Sequence, residues 1–237
     1  MASPSRVASA ARIAGLAAVT LCVLGPLSNQ LAITHPLGGF LAFALGLLLG
    51  IVALVLGIAG LFTTRAGSAR EGRPAALTGA LIGVVIFATG MFASAPGRGL
   101  PRINDITTDP ADPPAFADPQ RSYPGESFAS QQRAAYPDLA PIELAMPPDA
   151  AFRAARSAAQ GLGWEIVRED AASGVFEATQ TSAVFRFVDD VVVRVRPESG
   201  GARVDVRSKS RDGRGDLGTN AKRIRTFAAA LASKAAG

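Results

Sequence analysis

Two long runs without a charge set the terms for this chain. Gly39 to Phe62 reads GFLAFALGLLLGIVALVLGIAGLF, and Ala75 to Ser94 reads AALTGALIGVVIFATGMFAS, 24 and 20 residues respectively. About 20 apolar residues in a helix cross the roughly 30 Å of bilayer hydrocarbon. A soluble helix of either length needs a polar face, and neither run has one. Both are therefore read as membrane spans. Between them lies TTRAGSAREGRP, with Arg65, Arg70, Glu71 and Arg73. Each arginine at mid-bilayer costs about 2.5–3.5 kcal/mol, so this is a loop rather than the middle of one long span, and its arginines assign it to the cytoplasmic side.

A weaker apolar run, Ile13 to Leu27, follows Arg6 and Arg12 and is interrupted by Pro26, Ser28, Asn29 and Gln30. It reads either as a third span or as the apolar region of a cleaved leader. The span is preferred, because no small-x-small cleavage site follows at the right distance. The orientation is the same either way. Residues Ser28 to Gly38 hold no Lys or Arg and read as an outside loop. The next span then enters, the following one leaves, and the C-terminal half is extracytoplasmic, on a protein integral to the cytoplasmic (inner) membrane; Arg98 and Arg102 oppose this. The spacings Gly46-x-x-x-Gly50 and Gly79-x-x-x-Gly83 suit close contact between the two strong spans, although glycine is also simply common in such helices. No span carries a charge, which leaves no obvious ion path and argues against a transporter.

The net charge of +5 belongs to the membrane part: residues 1–100 hold six Arg and one Glu, while residues 101–237 hold eighteen basic and eighteen acidic residues. The high pI is thus no argument for nucleic-acid binding, which needs a basic domain or patch. Charge is segregated within the polar half, at −5 over residues 101–149 and +5 over 150–237. An acidic segment lying against the basic domain would account for part of that opposition. The chain has one Cys, Cys22, and one His, His35, both outside the polar half. That half therefore lacks the residues for Ser-His-Asp or Cys-His catalysis and for His/Cys zinc sites.

From Ala95 to Ala140 there are eight prolines and no sustained periodicity. The segment reads as extended, with Ile103, Ile106 and Phe116 as apolar anchors that a free linker does not need. Asn104, Asp105, Asp109 and Asp112 do not follow a calcium-loop pattern, and no metal site is expected. A short strand is predicted at Ile142 to Met146. A helix starts at Pro147-Pro148-Asp149, buries Phe152, Ala155, Ala159 and Leu162 on one face, and stops at Gly161 and Gly163. Strands follow at Trp164–Arg168, at Val175–Thr181 with an extension through Val184–Phe187, at Val191–Arg196 after a turn at Asp189-Asp190, and at Ala202–Ser210 after the hairpin signal Ser199-Gly200-Gly201. A last helix runs from about Gly218 to Lys234, with Leu217, Ala221, Ile224, Phe227 or Ala228, and Leu231 on one face. Short links between strands mean antiparallel pairing. The fold class is α+β: three transmembrane helices, or two if the first run is a leader, then a two-layer domain with an antiparallel sheet and two helices on one face. The divisions are 1–95 for the membrane region, 96–140 for the proline-rich segment and 141–237 for the α+β domain.

Alternation turns Val191, Val193, Val195, Val204 and Val206 towards the helices. Arg194, Arg196, Arg203, Asp205, Arg207 and Lys209 then face away, joined by Glu177. That open, mixed-charge face reads as a cross-strand ion-pair ladder or as a surface for an anionic group or partner chain. Gly213 to Gly218, GRGDLG, matches G-x-G-x-x-G, but no second parallel strand follows the helix, so no dinucleotide is expected. An anion at the helix start, near Arg207, Lys209, Arg211 and Arg214, competes with Asp216, which as a cap would satisfy the same amides. The candidate anion- or partner-binding residues are Arg194, Arg207, Lys209, Arg211, Arg214, Asn220 and Arg223; no catalytic residue is assigned.

YPDLAPIEL (Tyr136–Leu144), GWEIV (Gly163–Val167), FVDDVVVRVRP (Phe187–Pro197) and VDVRSKSRDGRGDLGTNAKRIRTF (Val204–Phe227) resemble domain of unknown function 1499, and INDITTDPADPPAF resembles that family's opening motif. The resemblance covers roughly residues 100–232. It implies no activity, cofactor or catalytic residue, and it implies that the proline-rich opening belongs to the domain. The functional expectation is a membrane-anchored extracytoplasmic binding or structural module of the cell envelope. Its partners are the lipid bilayer and an envelope protein or anionic head group, with no cofactor and no nucleic acid. The alternative is a carboxylate-dependent envelope hydrolase using Asp189 or Asp190, although neighbours on a strand point to opposite faces.

Overall fold

A computed structural model describes residues 3–235. Two compact units divide the chain, Met1–Ala95 with Ala183–Arg186, and Pro96–Ser182 with Phe187–Gly237.

In the first unit, β1 (Ser3–Pro4) leads into α1 (Arg6–Gln30), α2 (Pro36–Thr63), β2 (Arg70–Glu71) and α3 (Arg73–Ser94). All three helices are long and apolar enough to cross a membrane. Their packing inverts that of a water-soluble bundle. The buried positions are almost all small: Ala8, Ala11, Gly15 and Ala18 in α1, Gly46, Gly50, Ala53 and Gly57 in α2, Ala76, Gly79, Ala80 and Gly83 in α3. The large side chains, such as Leu41, Leu48, Val55, Leu81 and Val85, point outwards. Lipid tails solvate leucine as well as a protein core does, so helices in a bilayer associate through small residues that let backbones approach. The two glycine pairs each serve two neighbours. Gly50 lies against Ile86 and Gly83 against Leu54, which is the α2–α3 contact, whereas Gly46 lies against Cys22 and Gly79 against Ala11, both on α1. β1 pairs with β2 in parallel, so the start of α1 and the α2–α3 link occupy the same end of this unit.

In the second unit, β3 (Asp105–Thr107), α4 (Glu126–Ala135), β4 (Ile142–Leu144), α5 (Pro148–Gly161), β5 (Glu165–Asp170), β6 (Val175–Thr181), β7 (Val188–Glu198), β8 (Gly201–Ser210) and α6 (Thr219–Ala235) follow in order. The sheet runs β3-β8-β7-β6-β5, antiparallel throughout, and β4 pairs with the other half of β8. The class is α+β, with α5 and α6 on one face. Their core combines Phe152, Ala155 and Ala159 with Val191, Val193, Val195, Val204 and Val206, and with Ile224, Phe227 and Leu231. Trp164 stacks on Phe227 at 5.0 Å between ring centres.

Several local readings change. Asp189 and Asp190 lie inside β7 rather than in a turn, because arginines on both faces of the sheet neutralise them. Residues 184–187 form no strand. Leu217 is exposed and precedes α6 instead of joining its apolar face. Two short elements in the proline-rich segment, β3 and α4, had no apolar period to reveal them. The Gln132 side chain joins them, accepting from the Thr107 amide at 3.0 Å and donating to the Thr107 carbonyl at 2.6 Å. An amide side chain thus pairs with the edge strand as a further strand would.

Candidate functional site

The face of the sheet turned away from α5 and α6 is not open. Its charged rows follow from strand register: Lys209 stands between Asp105 and Asp190, and Arg194 opposite Asp205. Residues 109–123, from the acidic segment, roof that face. The reason is charge and shape together. Ile103 and Ile106 anchor the segment in the core, and its aspartates then meet the arginines of β7 and β8.

Arg207 is the centre of the roofed face and almost wholly buried. Its Nε and one terminal nitrogen donate to the two carboxylate oxygens of Asp105, both at 2.8 Å. Its remaining donors satisfy the carbonyls of Pro114 at 3.2 Å and Arg121 at 2.7 Å. The guanidinium lies over the rings of Phe116 and Tyr123, at 4.9 and 5.4 Å. Burial, and the Asp105 carboxylate beside it, push the Tyr123 phenol up to about 12. Lys209 donates to Asp105 at 3.1 Å.

Along the same face, Asp205 is buried beneath three arginines: Arg194 at 3.0 Å, Arg196 at 2.7 Å and Arg203 at 2.9 Å. Asp109 and Asp112 reach this group from the roof, Asp109 to Arg196 and Arg203, Asp112 to Arg194 and Arg196. At the far end Asp190 receives Arg211 at 2.7 Å and also Arg121.

The other candidates sit elsewhere. Arg223 and Asn220 belong to a buried network on the helix side of the sheet. There Arg223 donates to Asp189, Gln180 and Ser208, and the Ser208 hydroxyl donates to the Asn220 carbonyl oxygen at 2.6 Å. Arg214 is exposed in the β8–α6 loop. At the start of α6, Asp216 accepts from the amides of Gly218 at 2.9 Å and Asn220 at 2.8 Å. The structure therefore joins Arg194, Arg207 and Lys209 on one face, sends Arg211 to its end, and separates Arg223, Asn220 and Arg214 from them. Asp189 and Asp190 point to opposite faces. Among the described residues no group of three His, Cys, Asp or Glu is arranged to hold a metal ion. A cleft of about 560 Å³ opens beside α5, lined by Phe152, Val195 and Pro197 and rimmed by the ion pairs Asp149–Arg153 and Arg156–Glu169.

Spacing alone did not identify Asp105, Arg121, Tyr123 and Gln132 as partners of this face. The usable signal was the opposition of −5 and +5 between the two parts of the polar half.

The arginines also set the response to acid. Hydrogen bonds from Arg196 and then Arg194 hold the Asp112 carboxyl below its usual 3.8, and Arg225 does the same to Asp138. A depressed native pKa adds stability that is complete above the unfolded value and is lost as pH falls through the native one. The polar half has no His to titrate at higher pH. Its stability should therefore stay level from about pH 7 to about pH 5 and fall below about pH 4. Urea midpoints followed by Trp164 emission check this, and Asp112→Asn should shallow the fall.

Among curated proteins none matches this chain. A protein-family model does: Protein of unknown function (DUF1499), over residues 105–231. The match starts at β3, takes in the whole roof and sheet, and ends within α6, and by it the chain belongs to the DUF1499 family.

Proposed function

We propose that this chain is a membrane-anchored module of the cell envelope, with its polar domain outside the cytoplasmic membrane, that binds an anionic head group or an envelope protein through the arginine face. The observation that carries the binding reading is the rim of that face. Arg194, Arg203 and Arg196 keep 17%, 26% and 36% of their side chains exposed beside a half-exposed Asp112, while Arg207, Asp105 and Asp205 are closed off. The orientation is supported by charge. Arg6, Arg65, Arg70 and Arg73 lie at the end of the helical unit where β1 pairs with β2, and residues 31–35, which link α1 to α2, carry no Lys or Arg. The positive-inside rule assigns the first end to the cytoplasm. Against a hydrolase, Asp189 and Asp190 lie on opposite faces and are each held by arginine.

Native mass spectrometry of the full-length protein, extracted gently from its own membrane, tests the binding. A lipid or protein of defined mass retained by the wild type and lost from an Arg194→Gln, Arg196→Gln variant is the expected result. A bare chain in both refutes it. A reporter active only in the cytoplasm, fused after Gly237, should stay silent; a strong signal reverses the orientation.

A further inference from the structure

One carboxylate of the roofed face differs from the others. Asp105 and Asp205 are fully buried, whereas the Asp112 side chain is 59% exposed. It stands at the tip of a tight turn that Asp109 builds by accepting from the amides of Ala111 and Asp112, both at 3.1 Å. From there its two oxygens lie between two guanidiniums. Oδ1 accepts from Arg194 at 3.4 Å, and Oδ2 accepts from Arg194 at 3.0 Å and from Arg196 at 2.7 Å. Two arginines converging on one oxyanion group is the way proteins hold a phosphate or a carboxylate ligand. Here the chain supplies that group itself. Without it, three arginines, Arg194, Arg196 and Arg203, would face two carboxylates, Asp205 and Asp109, an excess of one positive charge at a solvent-reachable rim.

We propose that Asp112 is a built-in stand-in for a phosphate-bearing ligand, and that the Asp109–Asp112 turn closes an anion site on Arg194 and Arg196 until such a ligand displaces it. This rests on the reading of the arginine face as a binding surface, and adds to it the ligand class and a means of control. A phosphate monoester carries about −1.5 to −2 charges at pH 7, so it competes well against a single carboxylate for two guanidiniums. Mild acid is no substitute for the ligand, because the arginines hold the Asp112 carboxyl below its usual range. Pro110, Pro113 and Pro114 fix φ on either side of Asp112, so the turn exchanges as a unit rather than by unravelling.

The test uses full-length protein in nanodiscs of neutral lipid, titrated with inorganic phosphate by calorimetry. Removing a competitor that fills the site about nine-tenths of the time tightens apparent affinity about tenfold. Asp112→Ala and the isosteric Asp112→Asn should both show that gain, with Trp164 emission unchanged as the check on folding. Adding Arg196→Gln to either should abolish it. If both Asp112 variants bind as the wild type does, and Arg196→Gln weakens all three, the arginine site stands and its occlusion by Asp112 is refuted. If none of them binds phosphate more tightly than Arg196→Gln alone, the binding face itself fails as well. A short-chain phosphatidate run in parallel separates the two sources of the same chemistry: tighter binding than phosphate assigns the site to a lipid head group, and equal binding to a free phosphate ester.

Discussion

Arg207→Ala is expected to lower the unfolding free energy of the polar domain by about 3–5 kcal/mol, the usual cost of breaking a buried ion pair from one side. The loss has three parts. Asp105 is left buried without its bidentate partner. The carbonyls of Pro114 and Arg121 lose their donors. Phe116 and Tyr123 lose the cation between them. Urea denaturation of the full-length protein in detergent, followed by emission of its single tryptophan, measures the change. Replacing both partners, Asp105→Leu with Arg207→Met, should recover part of the loss, because no charge is then stranded. Recovery should stay incomplete, since each carbonyl left bare costs about 1–3 kcal/mol. A loss below about 1 kcal/mol in Arg207→Ala would mean that water reaches the face and solvates Asp105, as at an exposed ion pair.

Phe227→Ala should cost a similar amount, about 3–5 kcal/mol, by leaving a cavity in the opposite layer. Phe227 is fully buried between α6 and the sheet, with its ring stacked on Trp164 at an interplanar angle of 16°. The same tryptophan reports twice: the urea midpoint should fall, and native emission should move to the red as water enters beside the indole. Phe227→Leu, which refills most of the space, should lose less and keep the native emission. Red-shifted emission in Phe227→Leu as well would show that the stacked ring, rather than the filled volume, excludes water. The two substitutions probe separate layers, so their losses should add within about 0.5 kcal/mol in the double variant.

Elements with a period were legible from sequence, and elements defined by their partners were not. The uncharged runs ending at Phe62 and Ser94, the Phe152–Ala159 face of α5 and the alternating valines of β7 and β8 all carry their structure in their spacing. β3 is three residues long and α4 buries only Ala129 and Gln132, so neither offers a repeat to detect. Asp189-Asp190 resembles a turn by composition, because aspartate is rare in strands, yet Arg223 on one face and Arg211 on the other hold both residues in β7. For the candidate site, strand alternation correctly grouped Arg194, Arg207 and Lys209 but could not show that Asp105, Asp109 and Asp112 cover them. That covering depends on contacts across some eighty to a hundred residues, which only charge opposition hinted at.

The long reach of the roof has a consequence for the order in which the domain is made. Asp105 leaves the ribosome well before its partners, Arg207 and Lys209, which lie 102 and 104 residues later. At roughly 5–20 residues per second that interval lasts roughly 5–20 s. Until β7 and β8 emerge, the aspartates of the acidic segment lack the arginines and the lysine they pair with in the folded domain. β8 pairs with β3, β4 and β7 at once, so the sheet closes in a single late event when that strand emerges. Such non-local closure is intrinsically slow. A nascent chain that stops after β7 would carry the three apolar helices complete and an acidic segment with no closed sheet to cover.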